Sequence, residues 1–200
     1  MRWRVEILNQ AVMEVLDALP RDMRAKLDHI VHLIEELGLH QVRELYVKPL
    51  RDKLWEMRVK GREGMARAIY ITVKGRRIVI LHAFRKKTRE DTQGRHPNGL
   101  VQIEGVGLMT IPFSELRKKW RKDPKYRKEY EALEPEYQLA RELIEARVKA
   151  GLTQEQVAQR MGTSQPTVAR LESGHKPSLK TLERYAEAVG MKVGIHLIAG

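Results

Sequence analysis

The order of apolar and polar positions divides the chain into three stretches. In the first, WRVEIL (Trp3 to Leu8) alternates with a period of two and predicts a strand. QAVMEVLDALPRDMRAKLDHIVHLIEELG then repeats its apolar residues at helical spacing, interrupted at Pro20, which predicts a helical hairpin. Leu27, Ile30, Val31, Leu33 and Ile34 form its core stripe, and Gly38 fits the end of the second helix. Short period-two runs follow in YVKPL, KLWEMRVKG, ARAIYITVKG and RRIVILHAF, with Gly75 where a hairpin turns. These predict a small antiparallel sheet under the helices.

In the second stretch, Asp91 to Leu108, neither period holds. In the third, helical spacing returns. TIPFSELRKKWRKDPKYRKEYEAL predicts one or two short basic helices, with Ser114 as N-cap and Phe113 and Leu116 as an apolar edge. EPEYQLARELIEARVKAG predicts a longer helix with Glu134 and Glu136 in its first turn and Gly151 at its end. Thr153 and Ser164 then stand where two further helices begin, separated by Gly162, with Val157, Ala158, Met161, Val168 and Leu171 inward. The terminal KVGIHLIA alternates as a strand suited to pairing with a second copy or with the N-terminal sheet. The fold class expected is α+β at the N-terminus joined to an all-α domain with a short C-terminal strand.

Composition narrows the setting. A hydrophobic fraction of 42% with 32% charged residues, and no long apolar run, excludes a membrane span and points to the cytoplasm. The chain has no Cys, and its seven His lack HxxxH-type spacing, so neither a metal nor another cofactor is expected. A net charge of +12 points to a polyanionic partner.

Alternation in LWEMRVK puts Trp55, Met57 and Val59 on one face and Glu56, Arg58 and Lys60 on the other. By the same rule His82 shares a face with Ile78, Ile80 and Phe84. The ordered motifs VKPL, KLWEMR, ARAIY and ILHAFRKKT resemble those of RelE/HigB-like toxins of type II toxin-antitoxin systems, over residues 1 to about 90. The resemblance implies an endoribonuclease that cuts mRNA on the ribosome. Such chemistry needs no metal if a base takes the 2′-hydroxyl proton, cations neutralise the phosphorane and an acid protonates the leaving oxygen. Arg58 and Arg67 suit phosphate binding, Lys86 and Lys87 add point charges, and Lys48, Lys60 or His82 can move the proton. Glu56 is read as a partner of Arg58.

The run TQEQVAQRMGTSQPTVARLESG has helix-turn-helix spacing and resembles the Xre/Cro-like repressors, HigA-like antitoxins in particular, over residues 109 to 200. The resemblance implies that the helix after Ser164 enters the major groove of operator DNA, with Gln165, Pro166, Thr167 and Arg170 at base edges or backbone. Gln154 and Lys176 are then expected at phosphates. A homodimer would match a two-fold operator.

Toxins of this resemblance end in a helix after a Lys-Lys-Thr and Thr-Pro turn, which is missing here. One back-translation of residues 91–110, read one base later, gives TPKADIQTALSRLKEWG and a stop overlapping the codon of Met109. Residues 91–108 are accordingly read as a linker, either one that replaced the toxin's last helix by a one-base frame change or an ordinary interdomain linker. The organisation expected is a toxin domain over 1–90, that linker, and an antitoxin over 109–200 with its helix-turn-helix at about 153–174. The function expected is a latent ribonuclease tied to its own inhibitor and autorepressor. The alternative is a transcription regulator with a catalytically dead RelE-like assembly domain.

Overall fold

The computed structural model describes residues 2–50, 53–86 and 109–195, the side chains at 43–45, 48 and 86 excepted. The linker expected over 91–108 lies outside the described residues. The chain forms two compact units, Met1–Glu134 and Pro135–Gly200.

In the first unit, strand β1 (Arg4–Ile7) leads into helices α1 (Gln10–Asp17), α2 (Arg21–Leu37) and α3 (Leu39–Tyr46). Asn9 caps α1 by accepting from Val12 N, Pro20 separates α1 from α2, and Gly38, at φ +90°, ends α2. Strands β2 (Val47–Pro49), β3 (Trp55–Gly61), β4 (Gly64–Val73) and β5 (Arg77–Lys86) then run as a meander. The two-residue strand β6 (Ile111–Pro112) completes the sheet in the order β2-β3-β4-β5-β1-β6. The sheet is mixed, not antiparallel throughout as expected, because β1 and β5 pair in parallel. The helices between β1 and β2 carry the chain across the sheet, and the meander returns β5 beside β1 in the same direction. Leu16, Met23, Leu27, Ile30, Val31 and Ile34 of the helices are buried with Ile7, Met57, Tyr70 and Ile80 of the sheet. Gly61 lets the β3–β4 turn approach α2, since a Cβ there would fall 2.5 Å from Met23 Cγ.

Residues 109–134 belong to this unit. Strand β6 pairs antiparallel with β1, and helix α4 (Phe113–Arg121) buries Phe113, Leu116 and Trp120. Pro112 occupies the N-cap of α4, so Ser114 lies inside its first turn and is not the cap expected. Helix α5 runs unbroken over Pro124–Lys149 with Pro135 inside it. The longer helix therefore does not begin at Glu134, although the two units divide there.

The second unit holds helices α6 (Gln154–Arg160), α7 (Gln165–Leu171) and α8 (Leu179–Ala188). Leu143, Val157, Ala158, Met161, Val168, Leu171, Tyr185 and Ala188 form one core. Thr153 and Gln156 form a capping box at α6: Thr153 Oγ1 accepts from Gln156 N at 3.2 Å, and Gln156 Oε1 accepts from Thr153 N at 2.8 Å. The strand expected at the C-terminus is absent over 191–195, and 196–200 lie outside the described residues.

Candidate functional site

Sheet register gathers the cationic positions of the first unit. Lys48 lies opposite Glu56, Glu56 opposite Ile69, and Ile69 opposite His82. Arg58 lies opposite Arg67 and Arg67 opposite Phe84, while Lys60, Met65 and Lys86 form the next row. Opposed residues share a face, as do residues two apart on a strand. Positions 48, 56, 58, 60, 67, 82 and 86 therefore belong to one face; Lys87 lies outside the described residues.

His82 reaches that face through an irregularity. The β4–β5 register shifts between Ile69 and Tyr70, which pair with His82 and Ile80, so Leu81 is an extra residue on β5. Strict alternation would have left His82 beside Ile78 and Ile80, as expected from sequence. The extra residue moves it to the face of Arg58 and Arg67, in the row of Glu56 and next to theirs, and its ring centroid stands 5.7 Å from that of Phe84.

Glu56 organises the site. Its side chain is 3% exposed and pairs with Arg58 Nε, while Arg67 Nη1 donates to Glu56 Oε2 at 2.7 Å. The contacts use one donor of each guanidinium, out of five. Arg58 remains 40% exposed and Arg67 16%, so Arg58 reaches solvent and Arg67 is half-buried while their anchor is sealed. Reading Glu56 as a partner of Arg58 alone missed its second contact. Cross-strand register, which the spacing of single strands does not contain, supplies Arg67.

The segment 109–134 docks elsewhere on this unit. Arg117 pairs with buried Asp28 at 2.5 Å and with Glu35 at 3.0 Å, and Tyr126 Oη donates to Asp28 Oδ2 at 2.7 Å. Trp120 Nε1 donates to Asp17 Oδ1 at 2.9 Å, and Arg62 of the β3–β4 turn pairs with Glu129 at 2.6 Å. Burial alone would favour a neutral Asp17, but hydrogen bonds from Lys119 and Trp120 hold its carboxyl below the usual range. His29 stacks on Tyr130 at 3.8 Å with its Nε2 3.1 Å from the Tyr130 carbonyl, and burial lowers its pKa. Burial, with the Asp28 charge, pushes the Tyr130 phenol up to about 12.

In the second unit, Ser164, Pro166, Thr167, Arg170 and Lys176 are exposed and Gln165 is half-buried. Ser164 stands at the N-cap of α7, but its Oγ lies 3.0 Å from Thr167 Oγ1 and does not bond the helix backbone. Pro166 falls in the first turn, where its missing N–H is harmless. Lys176 Nζ is 3.5 Å from Glu136 and 80% exposed. Gln154 departs from the expected phosphate contact: it is 4% exposed, donates to Glu172 Oε2 at 2.9 Å and accepts from Gln165 Nε2 at 2.8 Å. It thus holds Gln165 in place. Glu172, fully buried, also accepts from Arg147 Nε at 2.7 Å and Nη2 at 2.9 Å. The Tyr185 hydroxyl stands 2.6 Å from Glu172 Oε1.

An α+β unit followed by helices spaced as a helix-turn-helix is the class these elements define. Residues 14–97 match the family described as phage derived protein Gp49-like (DUF891), and residues 143–194 match the helix-turn-helix family. Over 76 residues the chain is 38% identical to antitoxin HigA1 of Mycobacterium tuberculosis, strain CDC 1551 / Oshkosh, and equally to that of strain ATCC 25618 / H37Rv. Each match covers 38% of this chain and 51% of the relative, so the chain spans about half the length of the curated relatives it matches. Among the described residues, no helix is long and apolar enough to cross a membrane.

Proposed function

We propose that the chain joins a toxin and its antitoxin in one polypeptide. The RelE/HigB-like face around Glu56 cuts mRNA on the ribosome, residues 109–134 latch that unit in a resting state, and the helix-turn-helix binds operator DNA in the cytoplasm as a homodimer and represses its own promoter. The observation that carries the reading is the shared face of Arg58, Arg67 and His82 around one buried carboxylate. Its support in the second unit is the exposed row Ser164, Pro166, Thr167 and Arg170 on α7, with Gln165 braced beneath.

In the cleavage step, His82 or a lysine at position 48 or 60 takes the proton of a ribose 2′-hydroxyl, and that oxygen attacks the adjacent phosphorus. Arg58 and Arg67 stabilise the phosphorane through donors that Glu56 does not use. The P–O5′ bond breaks, the leaving oxygen takes a proton from an acid such as Lys86 or Lys87, and a 2′,3′-cyclic phosphate remains. Glu56 fixes both guanidiniums in orientation. Among the described residues, the contacts of the 109–134 segment lie on β1, α1, α2, Arg77 at the start of β5 and the β3–β4 turn, which fits a latch that acts by holding the unit, not by plugging the cationic face.

A second reading rests on the same carboxylate. Glu56 already engages both arginines, which suits a regulator whose sheet unit no longer cuts RNA. Expression of residues 1–108, and of a form in which TPKADIQTALSRLKEWG replaces residues 92–108, separates the two. Growth arrest with mRNA breaks on primer extension, abolished by Arg67→Ala, supports the ribonuclease. Silence of both forms supports the regulator.

A further inference from the structure

Neither site accounts for the densest charge in the chain. Residues 117–128, RKKWRKDPKYRK, carry eight cations against one acid, a net +7 out of the chain's +12. Docking of this segment consumes little of that charge. Arg117 is held by Asp28 and Glu35, Lys119 by Asp17 at 2.7 Å, and Lys118 by Glu115 at 2.9 Å. Arg121 lies 5.8 Å over the Tyr130 ring, a contact that leaves its charge unneutralised. Lys122, Lys125, Arg127 and Lys128 are exposed, and no hydrogen bond or ion pair engages their side chains among the described residues. The segment's own acid, Asp123, is already taken by Arg21 at 2.7 Å and by the Lys125 backbone N–H at 2.9 Å.

The buried positions Phe113, Leu116, Trp120 and Tyr126 are what seat the segment on its unit. Four bare cations around a helix junction repel one another and contribute nothing to that seating, so a latch alone does not call for them. A polyanion with regularly spaced charges does. We infer that Lys122, Lys125, Arg127 and Lys128 form a phosphate-backbone contact for duplex DNA, additional to the helix-turn-helix and indifferent to sequence. The covalent link favours DNA over other polyanions: α5 begins within this segment and continues into the unit that carries the helix-turn-helix, so DNA held there is present at high effective concentration. The inference rests on the DNA-binding reading of the second unit.

The test uses the full chain and a fluorescent random-sequence duplex of about 30 base pairs, with affinity measured against salt concentration. Replacing the four cations together by alanine removes no contact seen in the fold, and a thermal melt of each variant confirms that it stays folded. If all four contact phosphates, the slope of log affinity against log salt falls by about 3.6, at roughly 0.9 per contact. Arg170→Ala, compared on a duplex selected from a random pool, serves as the separate control. Loss of discrimination in Arg170→Ala with an unchanged slope in the four-alanine variant overturns the patch and spares the helix-turn-helix. A reduced slope without any effect of Arg170→Ala keeps the patch and removes the reading of α7. A slope unchanged on DNA but reduced on single-stranded RNA also overturns the proposal, because the partner would then be RNA.

Discussion

Glu56 in the first unit and Glu172 in the second are both buried against arginine, and the two clusters differ in what surrounds the guanidinium. In the second unit Glu172 is fully buried, and Arg147 beside it has a side chain only 6% exposed. Gln154 and Tyr185 complete the ring of donors around the carboxylate. In the first unit Glu56 is as hidden, but Arg58 is 40% exposed and lies in an open row of cations. A sealed pair can only hold helices together. A pair sealed on its acidic side alone presents oriented cationic donors to whatever arrives, which is what a phosphate site requires.

Breaking the sealed pair has the largest effect. Glu172→Ala strands the Arg147 charge in the core and is expected to cost about 3–5 kcal/mol, read by urea unfolding of the chain. Glu56→Gln keeps the volume, leaves Arg58 largely in water and takes the charged partner from Arg67, which is 16% exposed, so about 1–3 kcal/mol is the expected loss. Its larger consequence falls on any cleavage activity, because the two guanidiniums lose their common anchor. A stability loss as large as that of Glu172→Ala would erase the contrast between the pairs.

Acid acts on the first unit where His29 meets Tyr130. Burial lowers the His29 pKa, so the folded state binds fewer protons than the unfolded state just below the ordinary value of about 6.5. Stability from this group is complete above that value and is lost as pH falls through it toward the folded pKa. Melting temperature against pH should show this loss, and His29→Gln should reduce it. The smallest effect is at the surface. Lys176→Ala breaks an exposed pair with Glu136 and should change stability by less than about 1 kcal/mol. On DNA the same change should lower the salt slope by about 0.9 if Lys176 meets a phosphate.

The parts of this molecule that were legible in its sequence are those governed by neighbours along the chain. Thr153 and Gln156 form a capping box within four residues, Gly162 takes φ +61° at the end of its helix, and Gly75 takes φ +84° in its hairpin. The alternation that buries Met57 and Val59 is likewise local. What escaped depends on partners far away. The extra residue at Leu81 rotates His82 onto the cationic face, and only the pairing with β4 reveals it. Gln154 looks like a surface residue at the start of a helix until Glu172 and Gln165 close over its amide. Glu134 and Glu136 read as the first turn of a helix, yet α5 begins at Pro124 and carries them in its interior. The seating of Trp120 and Tyr126 on α1 and α2 joins residues about a hundred positions apart, so no period announces it.

A latched ribonuclease is exposed by opening the latch in the intact chain. Trp120→Ala removes a fully buried indole and its bond to Asp17, at a cost of about 3–5 kcal/mol to the seating of residues 109–134. Cells expressing this variant should stop growing and show discrete mRNA breaks by primer extension, and adding Arg67→Ala should abolish both. A Trp120→Ala chain that stays folded and leaves mRNA intact, or breaks that persist with Arg67→Ala, would contradict a latched ribonuclease.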